Sequence, residues 1–208
     1  MKVGSQLFTA EGPRAVKKLA DLGFEIFLDL KFHDIPNTVA GAVASASQLP
    51  GIRLVNVHAL GGRAMMKAAR EALPASKKRP SLLAVTILTS MDAGSLNEVG
   101  IAEPPGTRAL SLARLAQEAG LDGVVASAHE VGAIRAACGP KFLIVVPGVR
   151  PASSSANDQS RVATPSEAIW AGADYLVVGR PITGAPNPRE AALGIGREIA
   201  SAAASACS

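Results

Sequence analysis

Short apolar runs of β type alternate with Ala-rich helical patterns along the whole chain, and this alternation limits the fold more than any other feature. EIFLDL (25–30) precedes a Pro-started helical pattern near 36–48. RLVNVHAL (53–60) precedes RAMMKAAREAL, and SLLAVTIL (81–88) follows it. TRALSLARLAQEAG (107–120) leads into LDGVVAS (121–127), and HEVGAIRAAC leads into KFLIVVPG (141–148). SEAIWAGA leads into DYLVVGR (174–180), and an Ala-rich helix closes the chain. Strands that alternate with helices form a parallel sheet with the helices packed on it. Right-handed crossovers then leave an open doubly wound sheet or a closed (β/α)8 barrel. No GxGxxG joins a strand to a helix, which counts against a dinucleotide site. The units are contiguous and similar in size, with no compositional break, so one domain over residues 1–208 is expected and a barrel is favoured. Six full strands follow residue 24, and the stub MKVG reads as the end of another. That count is one short, so the expectation is an α/β, (β/α)8 TIM barrel that lacks its first strand and helix.

Aromatic residues make up only 3% of the chain, so core volume has to come from Leu, Val, Ile and Ala. Trp170 and Tyr175 are expected in core or helix–strand packing. The net charge of +4 is mild, and its one dense cluster, Lys77-Lys78-Arg79, reads as a solvated loop. No basic stripe with interleaved aromatics points to nucleic acid. Cys138 and Cys207 lie far apart without CxxC or Cys/His company, which fits reduced thiols in a cytoplasmic protein rather than a disulfide frame or a zinc site. No apolar run reaches membrane-span length, and the N-terminus lacks a signal-peptide pattern. His33, His58 and His129 are scattered without metal-ligand spacing, and His33 packs beside the charged strand end described next.

Residues 27–38, FLDLKFHDIPNT, put Asp29, Lys31 and Asp34 where a strand feeds a helix. Residues two apart on a strand share a face, so Asp29 and Lys31 point one way and Leu28 and Leu30 the other. In a barrel the first direction is the interior, and the C-terminal strand ends form the active-site rim. Two unlike charges aimed inward are costly unless paired, which favours a functional role over a solvated face. Asp34 is also placed to cap the helix that begins near Pro36. Lys2, at the end of the strand stub, can reach the same rim, although its position alone fits a frayed, solvated lysine.

The other end of the chain carries anion chemistry. Gly179 and Arg180 directly follow the last strand, and barrels commonly bind phosphate there. Glycine lets backbone approach an oxyanion closely, and arginine offers a bidentate fork. The polar stretch 147–165, PGVRPASSSANDQSRVATP, holds Arg150, Gln159 and Arg161 and has the length and composition of a lid.

Taken together, KVGSQLFTAEGP, FLDLKFHDIPNT, VNVHALGG, LLAVTILTSMD, PGVRP with DQSRVATP, and ADYLVVGRPIT resemble the orotidine 5′-phosphate decarboxylase family in its bacterial form. The segments run in family order from residue 2 to about residue 190. DxKxxD alone is shared with related sugar-phosphate decarboxylases and synthases; DLKFHDIPNT followed by LTSM and VVGRPIT is far more specific. The resemblance implies a homodimeric barrel that uses no metal or organic cofactor and converts orotidine 5′-phosphate to UMP. It makes Lys2, Asp29, Lys31 and Asp34 a charged network, with Lys31 the proton donor. It places Asp34 and Thr38 in the partner subunit's site. It sets Thr89 and Ser90 at the pyrimidine, and Arg150, Gln159, Gly179 and Arg180 around the phosphate. Family members begin with a first strand ending in an Asp that binds ribose, followed by a first helix, and neither precedes Lys2 in this sequence. Two alternatives stay open at this level: a sugar-phosphate decarboxylase or synthase of the same superfamily, which would need Mg2+, and an inactive, truncated, binding-only relative.

Overall fold

The computed structural model describes residues 1–76, 78–151 and 163–206. In chain order the strands and α-helices are β1 (Lys2–Gly4), α1 (Ser5–Glu11), α2 (Pro13–Asp21), β2 (Ile26–Phe32), α3 (Pro36–Ser47), β3 (Ile52–His58), α4 (Gly62–Glu71), β4 (Ser81–Val85) and α5 (Ala93–Glu98). They continue with α6 (Pro105–Glu118), β5 (Gly123–Val125), α7 (Val131–Cys138), β6 (Leu143–Pro147), α8 (Pro165–Trp170), β7 (Tyr175–Val177), α9 (Arg180–Thr183) and α10 (Pro188–Ala206). The strands form one seven-stranded sheet in sequential order. The pairs β1–β2, β2–β3, β3–β4 and β6–β7 are parallel. The six strands and the stub expected from the sequence are therefore all present, and the observed strands start later or end sooner than most apolar runs suggested.

The chain divides into two compact units, Met1–Thr86 with Leu112–Val124, and Ile87–Ser111 with Val125–Ser208. In the first, Val3, Ile26, Leu28, Val55, Val57, Leu82 and Leu83 of the strands are buried together with Val39, Val43, Met65 and Met66 of the helices. In the second, Ile144, Val145 and Val146 are buried, as are Leu96, Val131, Ile134 and Ala168. Both cores are aliphatic, as the scarcity of aromatics requires. Trp170 departs from the expectation. It is 60% exposed and spends its indole N–H on the Ala202 carbonyl of α10 at 3.2 Å, so it ties two helices at the surface. Tyr175 is likewise exposed rather than core.

Helix starts follow local chemistry. Pro36 opens α3, where its fixed φ suits the first turn and its missing N–H costs nothing. At α8, Thr164 Oγ1 accepts from the Glu167 N–H at 3.2 Å while Glu167 accepts from the Thr164 N–H at 2.8 Å, a reciprocal capping box.

Each unit contains an aspartate clamp just before a strand. Asp122, one residue before β5, accepts from the Leu82 N–H of β4 at 2.7 Å and from both Nη atoms of Arg79 at 2.7 and 2.8 Å. Arg79 is thus not part of a solvated loop, because its guanidinium is spent on a carboxylate and on the Pro80 carbonyl. Asp174, before β7, accepts from the Ile144 N–H of β6 at 2.7 Å and from Arg135 at 2.6 Å. In both clamps a buried strand N–H meets a charged acceptor, a bond worth more than a neutral one.

Candidate active site

The charged group of the first unit is built on the ends of β1, β2 and β3. Gly4 of β1 pairs with Asp29 of β2, and Lys2 lies two residues earlier on the same strand face. A Cβ at Gly4 would stand 2.9 Å from the Lys2 ammonium, so the absence of a side chain there leaves the lysine its path to Asp29. Lys2 Nζ donates to Asp29 Oδ2 at 2.9 Å, and Lys31 Nζ donates to Oδ1 at 2.7 Å. One carboxylate therefore bridges two ammoniums, one on each oxygen.

The strand reaches this arrangement by breaking its own regularity. Between Leu28 and Phe32 the β2–β3 register slips: Leu28 faces Val55, whereas Phe32 faces Val57. Within that bulge Lys31 has φ 51°, and among the described residues it is the one non-glycine with positive φ. Such a conformation costs about 1–2 kcal/mol for an L-residue and persists where neighbours impose it. Asn56 of β3 is the neighbour. Its side-chain carbonyl accepts from the Lys31 backbone N–H at 2.8 Å, and its Nδ2 donates to Asp29 Oδ1 at 2.7 Å. Asn56 is fully buried. Burial alone would push the Asp29 carboxyl up, but the bonds from Lys31, Asn56 and Lys2 outweigh it and hold the group below the usual carboxylate range.

Beside this group the His33 and His58 rings stack, with centroids 5.3 Å apart and planes inclined by 19°. The expectation that His33 packs by the charged strand end is met through this stack. His58 closes β3, and burial, followed by the positive charges of His33 and Lys31, lowers its pKa to about 4. In the HALGG turn after it, a Cβ at Gly61 would fall 2.2 Å from Met65 Cε and 3.3 Å from His33 Cδ2, so a side chain there would displace the Met65 methyl and crowd the His33 ring.

The remaining candidates are dispersed over both units. Asp34 is exposed, and its carboxylate accepts from the adjacent Ile35 N–H at 2.6 Å. Thr38 is exposed on α3, which has Ile35 rather than Asp34 at its N-cap position. In the second unit, Thr89 and Ser90 occupy a turn closed by the Met91 N–H on the Leu88 carbonyl at 2.9 Å. Arg150, Gly179 and Arg180 come together around a recess of about 170 Å³ that Gly148 and Pro181 also line. Arg150 is buried and Arg180 is exposed at the first position of α9. A Cβ at Gly179 would meet no atom within 4 Å, so a side chain there would project into open space. Gln159 and Arg161 lie outside the described residues.

Comparison with known proteins gives the family. The family model for orotidine 5′-phosphate decarboxylase / HUMPS matches residues 1–195. The chain belongs to that family. An orotidine 5′-phosphate decarboxylase of Nitrosococcus oceani is 55% identical over 199 residues, 96% of this chain and 85% of that protein. One of Chromohalobacter salexigens is 56% identical over 200 residues, 96% of this chain and 84% of that protein. The crystal structure of orotidine 5′-phosphate decarboxylase from Lactobacillus acidophilus superposes with a TM-score of 0.82 at 43% identity, covering 95% of this chain and 85% of that one. The Pyrococcus horikoshii OT3 enzyme superposes with a TM-score of 0.75 at 29% identity, covering 96% of this chain and 86% of that one. With the sequential sheet, these likenesses make the fold an α/β TIM barrel.

Within this candidate site the sequence reading missed one residue of consequence, Asn56. A signal was available. Asn56 interrupts the apolar alternation of RLVNVHAL, and a polar amide in mid-strand needs buried partners.

Proposed function

We propose that this chain is a carboxy-lyase that converts orotidine 5′-phosphate to UMP in pyrimidine-nucleotide biosynthesis, without a metal or organic cofactor. The observation that carries the reading is the carboxylate of Asp29 bridged by Lys2 and Lys31 and pinned by Asn56, in a chain more than half identical to proteins of that name. In the reaction the C6–CO2 bond breaks, CO2 leaves, and the electron pair stays on C6 with no conjugated sink. Fixed charges then have to supply what an organic cofactor would.

In this reading Asp29 stands beside the substrate carboxylate and raises its energy, while the Lys31 ammonium stabilises the charge growing on C6 and delivers its proton there. Two ammoniums against one carboxylate leave the cluster with a surplus positive charge, the sign that a carbanion requires. Lys2 fixes the far oxygen of Asp29, so the carboxylate cannot rotate away from Lys31. Thr89 and Ser90 serve the pyrimidine. Arg150, Gly179 and Arg180 grip the phosphate, joined by Gln159 from the lid segment. Phosphate is remote from the breaking bond, so its binding energy is available for closure and water exclusion.

Asp34 and Thr38 act in the site of a second copy in a homodimer. Their exposure supports this, as does that of Ile35 between them, an apolar side chain 66% exposed. A cytoplasmic location suits a soluble nucleotide substrate; no helix among the described residues is long and apolar enough to cross a membrane. The sugar-phosphate alternative is not favoured, because relatives above half identity over nearly the whole chain bear the orotidine name.

The deciding experiment is Lys31→Ala, followed by the ultraviolet absorbance of orotidylate. Loss of both the proton donor and the stabilising charge should reduce turnover by about 10⁴-fold or more, with UMP binding retained. Near-normal turnover in that variant overturns the assignment. Turnover abolished by a chelator and restored by Mg2+ would instead favour the sugar-phosphate reading.

A further inference from the structure

A second concentration of arginines lies at the opposite strand ends of the first unit. Arg53 is the second residue of β3, Ser81 opens β4, Arg70 is the penultimate residue of α4, and Ser76 and Arg79 sit in the connection between α4 and β4. With Asp122 they line a recess of about 420 Å³. That volume lies within the range of small-molecule sites. Lys31 and His58, by contrast, stand at the C-terminal ends of β2 and β3. A ligand in this recess would therefore not occupy the Asp29 site.

Its charge is unbalanced. Asp122 is fully engaged, with its two oxygens taken by Arg79 and the Leu82 N–H. Among the described residues Arg53 and Arg70 make no ion pair within contact distance, although Asp122 attracts Arg70 at longer range, and three guanidiniums against one carboxylate leave two positive charges in excess. The Arg70 side chain is half-buried, so part of its stem is packed before any ligand arrives. Ser76 Oγ accepts from the Lys78 N–H at 3.1 Å and keeps its own proton to donate. Guanidiniums and hydroxyls converging on a recess with two surplus charges match the dianion of a phosphate group, which arginine binds bidentately.

We propose that this recess is a second anion site, selective for a phosphorylated small molecule and separate from the phosphate grip at Arg150 and Arg180. Arg53 and Arg70 supply the charge, the serine hydroxyls orient the phosphate oxygens, and the Arg79–Asp122 clamp forms a rigid wall. Because the ligand would bind only the folded chain, occupancy should raise thermal stability by mass action.

Calorimetric titration with inorganic pyrophosphate, paired with thermal melts, tests this on the full chain. Arg53→Ala/Arg70→Ala should weaken binding by at least about tenfold and abolish the pyrophosphate-induced rise in Tm. Arg53→Gln/Arg70→Gln, which keeps the stems and removes the charge, should do the same. Arg14→Ala/Arg189→Ala, an equal charge change at exposed arginines elsewhere, should leave binding within about twofold. Arg180→Ala should leave this component of binding intact. Three results overturn the proposal: unchanged binding in the Arg53/Arg70 variants, an equal loss in the Arg14/Arg189 variant, or complete loss of binding in Arg180→Ala. The last result would assign all pyrophosphate affinity to the catalytic grip.

Discussion

Asn56→Leu tests the central geometric claim, that one buried amide holds both the Asp29 carboxylate and the strained Lys31 backbone. Leu shares the Cγ branching of Asn but is larger, so no cavity forms and a modest overpacking cost adds to the loss of two hydrogen bonds. The bond to Asp29 is charge-assisted, at 2.7 Å, and is worth about 1.5–3 kcal/mol. The Lys31 N–H, bonded at 2.8 Å, would be orphaned at a penalty of about 1–3 kcal/mol. Lys31 can relieve part of that second penalty by relaxing from φ 51°. The net expectation is a destabilisation of about 3 kcal/mol, or about 1.5 M in the urea midpoint at an m value near 2 kcal/mol/M.

The same change removes one of the three donors that hold the Asp29 carboxylate and lets Lys31 relax toward an ordinary strand conformation, away from its proposed aim. A displacement of about 1 Å at a reacting group costs about 10²-fold, so kcat should fall by that order. The residues proposed to hold the phosphate are untouched, so UMP affinity should move far less than kcat. Urea unfolding followed by circular dichroism, with the orotidylate absorbance assay on the same preparations, reads both effects. A midpoint within about 0.3 M of wild type together with kcat within twofold would refute the role given to Asn56.

Other perturbations test separate parts of the structure. His58 is held neutral by burial and by nearby positive charge, so the unfolded chain takes up a proton from about pH 6.5 downward while the folded chain resists until about 4. Stability should therefore be full above pH 6.5 and fall between those values by about 1–2 kcal/mol once partial solvent access is allowed for, and His58→Phe, which keeps a ring against His33, should flatten that limb in urea unfolding. Asp122, raised by burial but lowered further by Arg79 and the Leu82 N–H, contributes stability above the ordinary Asp pKa that is lost as pH falls through its depressed value. Asp122→Asn should cost about 2 kcal/mol at neutral pH, and the gap to wild type should narrow in acid; a gap independent of pH contradicts the clamp. Arg180→Ala should reduce kcat/KM by about 10²–10³-fold with part of the loss in kcat, whereas a change in KM alone would mean that the phosphate contact does not drive closure.

Much of this was legible before any coordinates. Strand–helix alternation gave the parallel sheet, and the seven strands fall where the apolar runs lie. Period-two geometry correctly brought Asp29 and Lys31 together, but by a route the sequence could not show. A regular strand would have put the two side chains side by side on a flat face, whereas the 2.7 Å contact comes from a bulge and a left-handed lysine. Those depend on Asn56, 25 residues beyond Lys31, and nonlocal hydrogen bonds leave no periodic trace. Lys2 looked like a frayed terminus by position; its ordering comes from strand pairing and from the space at Gly4. Arg79 was misread for a similar reason, since its partner Asp122 lies 43 residues away.

Among the described residues, Asp29, Asp122 and Asp174 each bind a cation near a strand end, and saturation separates their roles. Arg135 donates to the carbonyls of Gly139, Phe142 and Gly172 as well as to Asp174, so each of its nitrogens is spent. Arg79 likewise divides its bonds between Asp122 and the Pro80 carbonyl. These guanidiniums have little left to offer a ligand and fix strand ends instead. Lys2 and Lys31 differ: among the described residues each ammonium donates to Asp29 alone, and each side chain keeps more than a third of its surface accessible, 37% and 38%. An ammonium has three N–H donors, so two on each lysine remain for a substrate. The cluster that carries strain, at φ 51°, is also the one with unspent donors. Backbone strain maintained beside unspent charge fits the proposed role of this cluster as a pre-organised electrostatic catalyst, whose donors must already be aimed before the negative charge develops.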